Sequence, residues 1–230
     1  MGNNARIVHL ALKVADLERA TRFYEDVFGF RQTGTGHARG HVSRHMTDGA
    51  FDLALMVYDS EDEPEAQLSG PGPCIHHFGI QVANRDEVAE RIIAHGGEII
   101  SDPNEGALKF RAPNGVIAET TRPGRYRKAE IEGPRIRGLA IETPDPTAAK
   151  AFYKSVFGLS DDGEALTDGA FRLYVTPASG KHIPPSHHHW IIQTSDLAGL
   201  GRAIERHGGA AEGPNLYRAP DGSLLELAAG

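Results

Sequence analysis

A single cysteine, Cys74, in 230 residues rules out an intramolecular disulfide and suits a reducing compartment. No apolar run approaches the roughly 20 residues needed to cross a bilayer, and the N-terminus lacks the basic start and apolar stretch of a secretory leader. A cytoplasmic protein is therefore expected. Basic residues are the minority, 24 Lys and Arg against 31 Asp and Glu, for a formal net charge of −7. Such a field repels phosphate backbones and acidic lipid surfaces, so neither nucleic acid nor a membrane is an expected partner. At 40% hydrophobic and 24% charged residues the composition lies near the globular norm, against disordered, fibrous and membrane classes, and is that of a chain that buries a core. What the chain has in excess is histidine. There are twelve, several of them clustered, which directs attention to metal or proton chemistry.

The chain repeats itself. RIVHLALKV from Arg6, followed by LERATRFYEDVFGF, returns as RIRGLAIET from Arg135, followed by PTAAKAFYKSVFGL. Gly138 matches His9, Phe152 matches Phe23 and Gly158 matches Gly29, a constant offset of 129 residues. The later part of each half repeats as well: IHHFGIQVA from Ile75 with SHHHWIIQT from Ser186, and FRAPNGVIAE from Phe110 with YRAPDGSLLE from Tyr217. Within each half the two parts share a pattern of strand, helix and a hairpin marked by Asp48-Gly49, Asn114-Gly115, Asp168-Gly169 or Asp221-Gly222.

Local chemistry supports that unit. Residues 7 to 14 alternate like a strand, Asp16 is a good N-cap, and Leu17, Ala20, Phe23, Tyr24, Val27 and Phe28 recur at helical spacing before Gly29 ends the helix. The same spacing makes Phe23-Tyr24 and Phe152-Tyr153 core pairs rather than an aromatic box. Three connectors interrupt the pattern: the acidic, Pro/Gly-rich Asp59–Pro73, the charged Arg122–Pro134, and Ser179–Pro185. The middle one marks the domain boundary. The expectation is an α+β chain of four βαβββ repeats, with a first domain at 1–124 (repeats at about 6–58 and 75–121), a linker at 125–134 and a second domain at 135–230.

HLALKVADLERATRFYEDVFGF, HHFGIQV and RAPNGVIAE, with their second-half echoes, resemble the vicinal oxygen chelate superfamily, which includes glyoxalase I, extradiol dioxygenases, methylmalonyl-CoA epimerase and fosfomycin-resistance proteins. The resemblance covers nearly the whole chain and implies two tandem glyoxalase-like domains, each pairing two βαβββ repeats into a cup-shaped sheet. Carried over residue by residue, it implies metal ligands at His9, His77 and Glu119. Counting from the first turn, Leu53 takes the place of Glu119 in the first repeat, with Asp52 the substitute if the register slips by one. In the second half the equivalent positions are Gly138, His189 and Glu226, so that metal site is degenerate, and His187 and His188 read as a solvated loop running into a strand.

Two imidazoles and one carboxylate suit Fe(II) or Mn(II), with Zn(II) and Ni(II) as alternatives, and leave positions open for two substrate oxygens. Extradiol dioxygenases carry a tyrosine ten residues before the carboxylate; here that position is Lys109, either an anion or proton-handling group or a solvated strand side chain. His41, Ser43 and His45 share one strand face, so His45 or His41 is a candidate general base, with a solvent-facing edge as the alternative. The implied function is a metal-dependent enzyme acting on a small vicinally oxygenated molecule, extradiol-dioxygenase-like. A glyoxalase-like lyase or epimerase is the alternative, and a non-catalytic binding or resistance protein the third. Sheet edges are covered within one chain or across a homodimer.

Overall fold

Alternating stretches become strands, and the stretches of helical spacing become helices. The computed structural model describes residues 5–38, 40–101, 107–178 and 186–230, Ser186 by its backbone alone. The first repeat comprises β1 (Arg6–Lys13), α1 (Leu17–Phe28), β2 (Arg31–Ala38), β3 (His41–Thr47) and β4 (Asp52–Tyr58). The second comprises β5 (Cys74–Gln81), α2 (Arg85–Ala94), β6 (Glu98–Ile99), β7 (Leu108–Arg111) and β8 (Ile117–Thr121). The third follows as β9 (Arg135–Thr143), α3 (Pro146–Phe157), β10 (Ser160–Asp162), β11 (Ala165–Thr167) and β12 (Arg172–Pro177). The fourth is β13 (Ser186–Thr194), α4 (Leu197–Arg206), β14 (Ala210–Gly213), β15 (Leu216–Arg218) and β16 (Leu224–Ala229).

The strands form two eight-stranded mixed sheets, ordered β2-β3-β4-β1-β5-β8-β7-β6 and β10-β11-β12-β9-β13-β16-β15-β14. In every repeat the first strand pairs in parallel with the last, while the strands between them run antiparallel. The parallel pair needs a crossover, and the helix supplies it. This is the α+β arrangement of four βαβββ repeats, and it sets the first strands of two repeats side by side at the centre of each sheet.

The helix termini follow from their capping residues. Asp16 is extended and its carboxylate accepts the amide of Arg19; Asn84, Asp145 and Asp196 cap the other three helices in the same way. Gly29 ends α1 at φ 69°, a left-handed conformation in which its amide reaches the carbonyls of Glu25 and Tyr24. Phe23, Tyr24, Phe152 and Tyr153 are all core residues.

Described by Cα proximity, the chain makes two compact units, each drawn from both sequence halves. One takes Met1–Val8, His77–Arg125 and Gly138–His188; in it α2 packs on α3, and the ring of Phe78 lies 6.1 Å from that of Tyr153. The other takes His9–His76, Tyr126–Arg137 and His189–Gly230; in it α1 packs on α4, and Trp190, fully buried, meets Tyr24 at 5.7 Å and Phe28 at 6.4 Å.

Both units carry the same tie between halves. Asp48 Oδ1 accepts the amides of Ala50 and Phe51 at 2.8 and 2.7 Å, and its Oδ2 accepts that of Ile136 at 2.7 Å. Asp168 repeats this with Ala170, Phe171 and Ile7, at 2.8, 2.8 and 2.6 Å. Arg135 and Arg6 donate to the carbonyls of Asp48 and Asp168 respectively. The Asp-Gly pairs are therefore not two-residue turns of positive φ. Only Gly49 and Gly169 are left-handed, the loops are four residues long, and each Asp is there for its carboxylate.

Two connectors are more than linkers. Within Asp59–Pro73 a 3₁₀ turn at Ala66–Ser69 is held by Lys13, whose buried Nζ donates to the carbonyls of Ala66 (3.2 Å) and Gly70 (2.6 Å) and to Glu61 (2.9 Å). Glu61 is held below the usual carboxylate range by that bond. The segment after Arg122 lies against the first repeat, where Arg127 donates to the carbonyl of Thr33 at 3.4 Å. Ser179–Pro185 lies outside the described residues. Among the described residues no helix is long and apolar enough to cross a membrane.

Candidate metal centre

The central strands of the first sheet carry the three residues singled out as ligands: His9 on β1, His77 on β5 and Glu119 on β8, consecutive neighbours in the strand order. All three are buried, at 3%, 2% and 3% exposure, and a buried carboxylate and two buried imidazoles need compensating partners. His9, His45 and Asp52 offer ligand atoms that lie within 4.8 Å of one another.

Around Glu119 the sheet register does the positioning. Glu119 lies opposite Gly79, two residues beyond His77, so a side chain of one strand face reaches over a residue with no side chain to meet the imidazole. His77 Nε2 is 3.4 Å from Glu119 Oε2. Lys109 is the direct cross-strand partner of Glu119 and its Nζ donates to the same oxygen at 3.3 Å. Lys109 is buried, which decides against a solvated strand lysine. His76 faces away from this group, with Nε2 at 2.8 Å from the carbonyl of Glu65 and 3.2 Å from Tyr58 Oη.

Around His9 the partners are Asp52, His45 and Tyr126. His9 Nδ1 lies 2.6 Å from Asp52 Oδ2, and His45 Nδ1 lies 2.9 Å from the same oxygen. Burial pushes the Asp52 carboxyl up, but the bonds from His45 and His9 outweigh it and hold the group below the usual aspartate value. The ring of Tyr126 stacks on that of His9, 4.6 Å between centroids and 11° between planes. His41 sits four residues from His45, about 13 Å along the strand at the rise of extended chain. Its ring is 5.0 Å from that of Tyr58 and its Nδ1 3.8 Å from Glu65 Oε2. His45 is thus brought into the neighbourhood of His9, and His41 is held among the residues of the 59–73 connector. The face they share with Ser43 is a covered one, since His41 and Ser43 are buried and His45 is half-buried.

Sequence reasoning missed two participants. Tyr126 falls in the charged connector, where no pattern marks it. Asp52 stands in the sequence only as a slipped substitute for Glu119. The register gives another answer: Gly79 faces Glu119 in the second repeat, and the corresponding Ala11 faces Ala54 in the first. Neither Leu53 nor Asp52 is the equivalent of Glu119, because two residues separate Gly49 from β4 whereas one separates Gly115 from β8.

In the second sheet Gly138 stands opposite Arg172, and Ile191 opposite Glu226. His189 Nε2 lies 3.0 Å from Glu226 Oε2, both side chains partly exposed. His187 and His188 belong to β13 rather than to a loop. His187 Nε2 is 3.1 Å from the carbonyl of Ile117, and His188 Nε2 is 3.9 Å from Glu142.

The family model described as the Glyoxalase/Bleomycin resistance protein/Dioxygenase superfamily matches residues 6–119. A virulence protein of Salmonella typhimurium is 32% identical over 122 residues, half of this chain and 81% of that protein. The chain belongs to this superfamily. Lactoylglutathione lyase of Haemophilus influenzae is 27% identical over 136 residues, 55% of this chain and 92% of the enzyme. Among solved structures, the Mn(II)-bound glyoxalase from Novosphingobium aromaticivorans aligns at a TM-score of 0.72 with 16% identity, covering 98% of this chain and 83% of that one. The 2,3-dioxygenase LapB from Pseudomonas sp. KL28 aligns at 0.64 with 16% identity, covering 98% and 92%. At such identities the shared feature is the fold of the whole chain, two tandem glyoxalase-like halves.

Proposed function

We propose that the chain is a divalent-metal-dependent enzyme of small vicinally oxygenated substrates, with residues 1–124 holding the metal through His9, His77 and Glu119. What supports this most is the burial of two imidazoles and one carboxylate at the three positions that the resemblance gives to ligands, with His77 Nε2 3.4 Å from Glu119 Oε2. The donor set fits a hard or borderline divalent ion, Mn(II) or Fe(II) before Zn(II) or Ni(II), and three ligands leave coordination positions for a bidentate substrate. Bound there, such an ion supplies Lewis-acid polarisation of adjacent oxygens.

The protein's own groups have separate tasks under this reading. Glu119 and the two histidines bind. Lys109, buried beside Glu119, keeps an ammonium where the anion of an ionised substrate hydroxyl or enolate is to be held. His45, half-buried and hydrogen-bonded to Asp52, is the candidate for moving a proton. Extradiol-type oxygenation and glyoxalase-type isomerisation share all of these demands. The dioxygenase reading is preferred on ligand number, three rather than four. Oxygen uptake with catechols in the presence of Fe(II), set against isomerisation of hemithioacetals with Ni(II) or Zn(II), divides the two; inactivity in both assays together with absent metal leaves a non-catalytic binding protein. We assign residues 125–134 as the linker between the halves.

Lys109→Met separates the charge of this residue from its packing. Removing a cation beside the proposed ligand carboxylate is expected to raise Mn(II) affinity by roughly tenfold or more, because like charges held in one buried site repel each other more strongly than in water. Affinity for an anionic substrate is expected to fall. Calorimetric titration with Mn(II) and with a catechol checks both, and weaker metal binding in the variant would mean that Lys109 supports the fold rather than the charge balance.

A further inference from the structure

We propose that Asp52 is the positioning residue of this centre: one carboxylate holds both His9 and His45 as Nδ1–H tautomers, so that each ring presents the Nε2 lone pair. The inference rests on the reading of His9 as a metal ligand, and it deepens that reading.

The geometry carries it. Asp52 is buried on β4, directly across the parallel pair from His9 and across the antiparallel pair from Thr47. Its Oδ2 is 2.6 Å from His9 Nδ1 and 2.9 Å from His45 Nδ1, and its Oδ1 is 3.2 Å from His45 Nδ1. A carboxylate has only lone pairs to offer, so each Nδ1 must donate. A neutral imidazole that donates from Nδ1 has its lone pair on Nε2, and a carboxylate behind a ligating histidine also raises its basicity. The stack of Tyr126 on His9 adds the second restraint, because the hydrogen bond aims the ring in its plane and the stack opposes its tilting out of it.

The other repeats show that this carboxylate is an addition rather than a requirement of the strand. Arg172 stands opposite Gly138 in the third repeat. One residue before the pairs Phe78–Ala118 and Trp190–Leu225, Ile117 and Leu224 occupy the matching place in the second and fourth. Three copies of the fold thus accept Ile, Arg or Leu where the first has Asp. Asp52 also lies two residues before Ala54, the register equivalent of Glu119, so on this strand the carboxylate stands behind the imidazole instead of at the ligand position.

Nitrogen-15 NMR of the imidazoles in the metal-free protein tests the tautomers, and Mn(II) titration tests the consequence. In the wild type, His9 and His45 are expected to carry the proton on Nδ1. Asp52→Leu, the residue of the fourth repeat, is expected to remove that preference from both rings and to weaken Mn(II) binding by about 10- to 100-fold. Asp52→Asn, which keeps an acceptor oxygen, is expected to keep the tautomers and to lose less affinity. Nε2–H on His9 in the wild type overturns the proposal without any variant, so a failure of Asp52→Leu to fold does not shelter it. Unchanged tautomers in Asp52→Leu overturn it too, and if Mn(II) binding then vanishes altogether, Asp52 is a ligand itself. A wild type that shows the Nδ1–H tautomers but binds no Mn(II) upholds the role of Asp52 and removes the metal reading instead.

Discussion

His77→Ala and Glu119→Gln are each expected to abolish stoichiometric Mn(II) binding, with a loss of affinity beyond the 10- to 100-fold that follows from disturbing a residue behind a ligand. Each change takes away one of the three proposed donor atoms, all of them on buried side chains. Glu119→Gln is the more informative of the two. The amide has nearly the shape of the carboxylate and still accepts from Lys109, so the sheet is not asked to repack, but the proposed donor set loses its one negative charge. His189→Ala and Glu226→Gln, at the equivalent places in the fourth repeat, are expected to leave Mn(II) binding unchanged, because the partner position on the adjacent first strand is Gly138. Metal content after purification without a tag, followed by titration of the stripped protein, checks all four variants. Retention of metal by His77→Ala, or its loss from His189→Ala, would place the site elsewhere.

A large effect of a different kind is expected from Asp48→Ala, a loss of about 2–4 kcal/mol of stability. Asp48 is fully buried and its carboxylate accepts three backbone amides. A hydrogen bond is worth about 1 kcal/mol net, and a buried amide left without an acceptor costs about 1–3 kcal/mol. Two of those amides close the hairpin, and the third belongs to Ile136, the start of the other half. Asp168→Ala removes the mirror-image set, including the tie to Ile7, and is expected to cost a comparable amount. Urea unfolding of the two variants and of the double variant measures it. Losses below about 0.5 kcal/mol, the range of an ordinary surface substitution, would show that the ties are incidental.

Much of the fold was legible because its determinants are local. The caps at Asp16 and Gly29, the helical stripe ending at Phe28 and the turn glycines act within a few residues of chain, so their spacing survives in the sequence and repeats with it. The candidate ligands were legible only through family resemblance. Nothing local distinguishes His77 from His76, since both are buried on one strand; the alternation of strand faces sends one toward Glu119 and the other toward the 59–73 connector.

Other features depend on strand register and long-range packing, and these the sequence leaves open. A single loop residue more or less moves the partner of Ala11 from Leu53 to Ala54, and so changes which residue stands at the carboxylate position of the first repeat. Lys109 reads either as an anion- or proton-handling group or as a solvated strand residue until its cross-strand partner turns out to be Glu119. Tyr126 reads as part of a charged linker until the chain folds back onto His9.

By itself, then, the amino-acid sequence determined the four βαβββ repeats, their capping residues and the inequality of the two halves at His9 and Gly138, because periodicity, capping and turn formation are decided by neighbours in the chain. Only the tertiary structure decided that Asp52 stands behind His9, that His45 rather than His41 shares its carboxylate, and that Asp48 and Asp168 tie each half to the first strand of the other. Those partners are brought together by sheet register and by contacts between distant segments, for which a linear pattern carries no record.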